Sequence, residues 1–311
     1  MSGKHETNAG ALAILDVTAR LHDQRIAARG RSELDAMPVL PSRDVVLDIV
    51  ESLVSALFPR HFGPAGMCGR DLDGYVARTL DSALHKLHHQ IELEIAMIED
   101  WPSETPLPPP RDPDAIIAAF ADALPGVRNI LNTDIQAAFR GDPSAKSLDE
   151  VISCFPGVAA LTRHRLAHEL YRHGVTMLAR IISESAHSHT GIDIHPGAQI
   201  GHGFFIDHGT GVVIGETAII GQNVRLYQAV TLGAKRFEVA ADGALAKDYP
   251  RHPILEDDVV IYSGATVLGR ITIGKGSSIG GNVWLTHSVP PNSHLTQAKA
   301  RNESFDDGAG I

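Results

Sequence analysis

Two short strings hold residues whose types could do chemistry. Asp193 stands in Gly191-Ile192-Asp193-Ile194-His195-Pro196, and His208 in Asp207-His208-Gly209-Thr210-Gly211. A carboxylate near a histidine is the pair that general-base catalysis uses. The carboxylate fixes the imidazole tautomer and supports the imidazolium that forms. A third string, Tyr249-Pro250-Arg251-His252-Pro253, offers Arg251, whose planar fork can donate two parallel hydrogen bonds to a carboxylate. Each string also has a plainer reading: an outward histidine on a repeat surface, or an exposed basic loop.

The element that must position these residues is a repeat. An aliphatic residue recurs every six positions at Ile194, Ile200 and Ile206. One step of eight leads to Ile214, and the six-step resumes at Ile220, Leu226 and Leu232. After a gap the series restarts at Leu255 and runs through Ile261, Val267, Ile273 and Ile279 to Leu285. Gly follows many of these markers, as in Ile214-Gly215 and Ile220-Gly221. This pattern predicts a hexapeptide parallel β-helix: three short strands and turns per triangular coil, each marker pointing inward, and coils stacked to bury one core. Asp193 then points outward, since Ile194 points in. His208 falls inside the eight-residue step, an irregular coil that can re-aim a side chain. The interval from Leu232 to Leu255 is 23 residues, so about 17 are inserted over one plain rung, and a long loop in a compact repeat is often functional. Val289-Pro290-Pro291 reads as a chain stop.

Ahead of the repeat the pattern is helical. The 311 residues suggest about two domains, and 43% hydrophobic residues suffice for a full core. Residues 1–40 form a polar arm with a weak helical pattern over Ala11–Ala28. A helix is expected after Ser42, ended by Phe58-Pro59, and a longer one over Asp71–Glu99 with Leu80, Leu84, Leu87, Ile91 and Ile95 on one face. His85, His88 and His89 on that helix read as a solvated face rather than metal ligands. Trp101–Pro113 is proline-rich and reads as a linker. Helices follow over Asp114–Leu124, Gly126–Phe139, Ser147–Phe155, Gly157–His173 and Val175–Ser188. The expected organisation is a polar arm (1–40), a helical domain (41–189), a β-helix (190–290) with a loop at about 235–252, and a flexible tail (291–311).

Composition excludes several classes. A net charge of −10 argues against a general nucleic-acid surface. No apolar run approaches the ~20 residues that span a bilayer, and MSGKHETNAG carries no apolar stretch of a signal peptide. Cys68 and Cys154 stand far apart, which fits a reducing cytoplasm rather than a disulfide framework.

The stretch GIDIHPGAQIGHGFFIDHGTGVVIGET, the PRHP string and the helical region before them closely resemble the serine acetyltransferases. The match runs from about Asp142 to Leu285, and the longer N-terminal part resembles a branch with an extended helical domain. The resemblance implies an α+β chain whose β-helix is left-handed. It implies acetyl transfer from acetyl-CoA to the hydroxyl of L-serine, the first committed step of cysteine synthesis. His208 would be the general base and Asp193 its orienting partner. Asp207 and Asp142 (in Gly141-Asp142-Pro143) would contact the amino acid, and Arg251 would hold its carboxylate with His252 beside it. Ala234, Ser263 and Gly281 would line the acetyl-CoA groove, where small residues suit a pantetheine arm. No metal and no permanently bound cofactor are implied, and no protein nucleophile. The family also implies a trimer with sites between adjacent β-helices, pairing of trimers into hexamers, and cysteine inhibition at the serine site. It further implies docking of a C-terminal Ile, here Ile311, into O-acetylserine sulfhydrylase.

Other readings remain at this point. A hexapeptide acyltransferase for another acceptor fits the fold, although Asp142, Asp207 and Arg251 suit a zwitterionic amino acid. A γ-type carbonic anhydrase shares the prism and binds zinc through three histidines between subunits, and His195, His202, His208 and His252 supply the count. A non-catalytic scaffold for a partner enzyme is the third.

Overall fold

The computed structural model describes residues 6–29, 38–100, 111–236, 243–247 and 249–297. Most of the proline-rich linker, part of the inserted loop and the tail from residue 298, with Ile311, lie outside the described residues. Helix α1 (Glu6–Arg29) belongs to a unit of its own, Met1–Val39, and the rest forms a second unit, Leu40–Ile311.

The second unit begins with helices. α2 (Arg43–Leu57) starts where expected: the Ser42 side chain accepts from the Val45 backbone N–H, and Val46, Ile49, Val50, Leu53 and Val54 form its buried stripe. A short turn, α3 (Pro59–Phe62), leads to α4 (Arg70–Asp100), which buries Leu87 and Ile91. The histidines of α4 pair with surface carboxylates: His85 with Asp81, His88 with Asp114 at 2.9 Å and with Glu92, which also meets His89.

α5 corrects one expectation. It is a single helix, Pro113–Gly141, running through Pro125 where the sequence suggested two. An internal proline costs a helix about 3 kcal/mol. The unbroken stripe Ile116, Phe120, Leu124, Val127, Leu131, Ile135 and Ala138 is buried along the whole length and outweighs that cost. α6 (Leu148–Cys154), α7 (Pro156–Arg172) and α8 (Thr176–Thr190) complete the helical part. Buried Glu94 of α4 accepts from the first backbone N–H groups of α8, Met177 and Leu178, both at 2.9 Å. Cys68 and Cys154 are free and exposed.

Three residues after α8 the β-helix begins. Its strands are two or three residues long, and every sequence marker from Ile194 to Leu285 lies in one. They build three parallel faces. The first holds β1 (Asp193–Ile194), β4 (Val213–Ile214), β7 (Thr231–Gly233), β10 (Thr266–Leu268) and β13 (Trp284–Leu285). The second holds β2 (Gln199–Ile200), β5 (Ile219–Ile220), β8 (Ile254–Leu255) and β11 (Thr272–Ile273). The third holds β3 (Phe205–Ile206), β6 (Arg225–Leu226), β9 (Val260–Ile261), β12 (Ser278–Ile279) and β14 (His294–Leu295). Register keeps the markers stacked, with Ile194 over Ile214, Ile214 over Leu232 and Leu232 over Val267. Marker side chains other than the half-buried Ile200 are buried, while their strand neighbours, apart from Phe205 packed under the helices, stand outward, the period-two rule applied to very short strands.

The second correction is at the end. Pro290-Pro291 does not stop the coil: Val289 bridges Ile273, the prolines take the next corner, and β14 pairs with β12. Proline lacks a ladder donor, so a corner is the place it fits.

The helices hold the first coil through a buried ion pair. Arg165 of α7 meets Asp134 of α5 at 3.0 Å, with Asp134 1% and Arg165 7% exposed. Arg165 also donates to the carbonyls of Ile200 and Gly201, while Asp134 accepts from the Phe204 N–H. Burial pushes the Asp134 carboxyl up, against the Arg165 charge. Removing one partner of such a pair costs about 3–5 kcal/mol. α7 also comes close at Gly157, where a Cβ would stand 2.4 Å from the Ile206 carbonyl oxygen.

Candidate active site

The eight-residue step makes an enlarged corner between the third and first faces. Between β3 and β4 the chain turns through His208 (φ 59°), Gly209 (φ 90°) and Gly211 (φ 78°). The left-handed conformation at a non-glycine residue is uncommon, and it throws the His208 ring outward, 70% exposed. Gly211 donates to the Gly191 carbonyl, tying this corner to the segment before β1. Asp207 lies beside the ring, its Oδ1 3.8 Å from His208 Nε2. Asp142 reaches the same corner from the C-cap of α5. Hydrogen bonds from Ser144, hydroxyl first and then backbone N–H, hold the Asp142 carboxyl below its ordinary value, and His208 is near enough to add to that effect. Asp207 therefore stands beside His208, and Asp142 lies within electrostatic reach of the ring, in one protomer.

Asp193 starts the first face just beyond this corner. Within the protomer its side chain forms no hydrogen bond or ion pair with His208, whose carboxylate neighbour is Asp207. Ser263 and Gly281 share the His208 edge of the prism further along: a Cβ on Gly281 would lie 3.1 Å from the Ser263 carbonyl oxygen. Ala234 follows β7 and sits at the other edge of the first face.

Arg251 and His252 also lie at that other edge, where the inserted loop rejoins the prism between the first and second faces. Their surroundings are closed. The Thr217 hydroxyl accepts from the backbone N–H of Arg251 and of His252, at 2.9 and 3.1 Å. His252 is 7% exposed, and its Nδ1 accepts from the Thr217 N–H at 3.1 Å. Its ring fills the space a side chain at Gly215 would need, since a Cβ there would meet Cδ2 at 2.0 Å. Burial, then the positive Arg251, hold the His252 pKa down at about 4, so the ring is neutral near pH 7. His195, at the same corner, is held at about 4 by burial and then Arg180.

Sequence reasoning passes over two further residues here. Glu216 Oε2 accepts from Arg251 Nη2 at 2.5 Å, and Glu216 Oε1 accepts from the Tyr171 hydroxyl of α7 at 2.7 Å. Tyr171 stands edge-on to His195, ring centroids 5.6 Å apart. Glu216 carries a faint signal, since it follows Ile214-Gly215 at the corner facing the loop. Tyr171 carries none, because helical periodicity does not mark a hydroxyl that reaches a separate element. Among the described residues no three His, Cys, Asp or Glu side chains gather as a metal site, and no helix is long and apolar enough to cross a membrane.

The chain is a three-faced hexapeptide prism with an exposed histidine and Asp207 at one widened corner. The profile described as bacterial transferase hexapeptide (six repeats) matches residues 252–287. A serine acetyltransferase of Synechococcus elongatus is 49% identical over 301 residues, 93% of this chain and 94% of that protein. A Bacillus subtilis serine acetyltransferase is 48% identical over 172 residues, 55% of this chain and 75% of that protein. The crystal structure of Entamoeba histolytica serine acetyltransferase 1 with L-cysteine has a TM-score of 0.70 at 34% identity, covering 86% of this chain and 91% of that one. The chain belongs to the serine acetyltransferase family. It is an acyltransferase, and the carbonic anhydrase and scaffold readings fall with that result.

Proposed function

We propose that the chain transfers acetyl from acetyl-CoA to the hydroxyl of L-serine, giving O-acetyl-L-serine and CoA, with His208 as general base. The observation that carries this is the joining of Asp142, Asp207 and His208 at one widened corner of a serine acetyltransferase. In a ternary complex His208 takes the Oγ proton as serine attacks the thioester carbonyl. The tetrahedral intermediate collapses with loss of the CoA sulfur, and the proton on His208 returns to that sulfur. Asp142 and Asp207 receive the serine ammonium, and Arg251 receives its carboxylate with His252 beside it. Asp193, outward on the first face and not bonded to His208 in the free protomer, would support the imidazolium once the ring turns toward substrate.

His208 and Arg251 border opposite edges of the first face, which supports a site shared by two protomers of a trimer. One chain would supply His208, Asp207 and Asp142, and its neighbour Arg251 and His252. The same arrangement brings Ser263 and Gly281 of one chain toward Ala234 of the next, along an acetyl-CoA groove. Pairing of trimers through the helices and docking of Ile311 into O-acetylserine sulfhydrylase belong to this proposal on the family's example.

The test is CoA release from acetyl-CoA with and without L-serine, for the wild type and for His208→Ala. Serine-dependent release lost in a folded His208→Ala enzyme supports the reading. Serine-dependent release that survives the substitution rejects the base, and no release with serine rejects the function.

A further inference from the structure

We infer that Tyr171 and Glu216 are positioning residues for the acetyl acceptor: the helical region aims Arg251 through Glu216. The inference rests on Arg251 holding the serine carboxylate. Three groups form one line, from the Tyr171 hydroxyl to Glu216 Oε1 at 2.7 Å and from Glu216 Oε2 to Arg251 Nη2 at 2.5 Å. The pair is largely screened from water, with Arg251 20% and Glu216 18% exposed. Burial alone would raise the Glu216 carboxyl, but hydrogen bonds from Tyr171 and Arg251 prevail and hold it below its ordinary value, so it is charged near pH 7.

The arrangement grips the guanidinium at both Nη atoms. One N–H of Nη2 donates to Glu216, and Nη1 donates to the Tyr249 carbonyl at 3.3 Å. Among the described residues Nε has no hydrogen-bond partner, so part of the fork is left for an incoming carboxylate. A free glutamate could swing to chelate the whole fork and neutralise it. Tyr171 prevents this by occupying one carboxylate oxygen. Tyr171 is itself braced by His195, and the Arg251 backbone is hooked by Thr217. The acceptor end of the site is thereby set by a residue of α7, outside the repeat.

Initial rates with each substrate varied decide the matter for Tyr171→Phe, Glu216→Gln, the double variant and Arg251→Lys. Tyr171→Phe keeps the ring against His195, and Glu216→Gln keeps the shape. Expected are a rise in serine KM of about fivefold for Tyr171→Phe and at least about tenfold for Glu216→Gln, with kcat and acetyl-CoA KM within about twofold of wild type. The double variant should match Glu216→Gln alone, because the Tyr171 hydroxyl reaches Arg251 through that carboxylate. A wild-type serine KM in Tyr171→Phe overturns the inference. So does a proportional change in both KM values and kcat, which would mark a merely structural role. If Arg251→Lys leaves the serine KM unchanged, the carboxylate role itself falls and this inference with it. If Arg251→Lys raises it and the other two variants do not, only the inference falls.

Discussion

The two edges of the first face are built on opposite principles. At one edge two extra residues widen a corner and push His208 into solvent, with carboxylates around it and little packing. At the other a 17-residue insertion rejoins the prism and buries His252 among Thr217, Gly215 and the charged line from Tyr171 to Arg251. The difference suits the proposed roles: a proton-transfer group must meet substrate, as the exposed His208 can, and a carboxylate clamp must keep its orientation without substrate, as the held Arg251 does. One fold supplies both because each hexapeptide corner can be lengthened without disturbing the stacked markers.

The largest test of this contrast is at the open edge. His208→Ala should lower kcat by about 10²–10⁴-fold, the usual worth of a general base. Its thermal midpoint should stay near wild type, because an exposed ring contributes little packing. A variant that loses activity only by unfolding would place His208 in the closed class instead.

A second test asks whether the edges meet across protomers. His208→Ala and Arg251→Ala chains, each nearly inactive alone, should recover activity when co-folded in equal amounts. Random assembly of a trimer sharing its sites would restore about a quarter of them. Separately folded chains mixed without exchange should recover nothing. Activity that never returns in co-folded mixtures means each site is made by one chain.

How much of this is legible without a structure divides along the same line. The open edge is: the single step of eight among sixes marks the corner that carries His208, and every marker from Ile194 to Leu285 lies in a strand. Periodicity reports burial against a repeat's own neighbours, and that is what a prism is. The closed edge is only half legible. Arg251 and His252 stand out by residue type, but their grip depends on α7 reaching Glu216, a contact between elements 45 residues apart. Pro125 and Pro290 mislead for a related reason. Each reads locally as a break, and in each case packing beyond the local chain decides otherwise.

The closed edge should also be intolerant where the open one is not. Gly215→Ala puts a methyl where the His252 ring lies and should destabilise by about 1–3 kcal/mol, the cost of overpacking. Guanidinium titration would show it as a lower midpoint at constant slope. Thr210→Ala, at the exposed corner beside His208, should change stability by less than about 0.5 kcal/mol. Equal losses in the two variants would erase the distinction between the edges.

The last expected effect is a pH dependence. His252 has a reference value of 6.5 and is held at about 4 in the fold. Between those values the unfolded chain takes up a proton that the folded chain refuses. Its contribution to stability is therefore full above about pH 6.5 and is lost as pH falls toward 4. Between pH 7 and pH 5 this amounts to about 1–2 kcal/mol for His252 alone, and His195 acts in the same direction. Asn at 252 keeps an acceptor for the Thr217 N–H but does not titrate. His252→Asn should start less stable at pH 7 and lose less on going to pH 5, which denaturant melts at the two pH values would measure. An unchanged pH slope in that variant would show that the buried ring takes up its proton without cost, and the closed edge would then be softer than its hydrogen bonds imply.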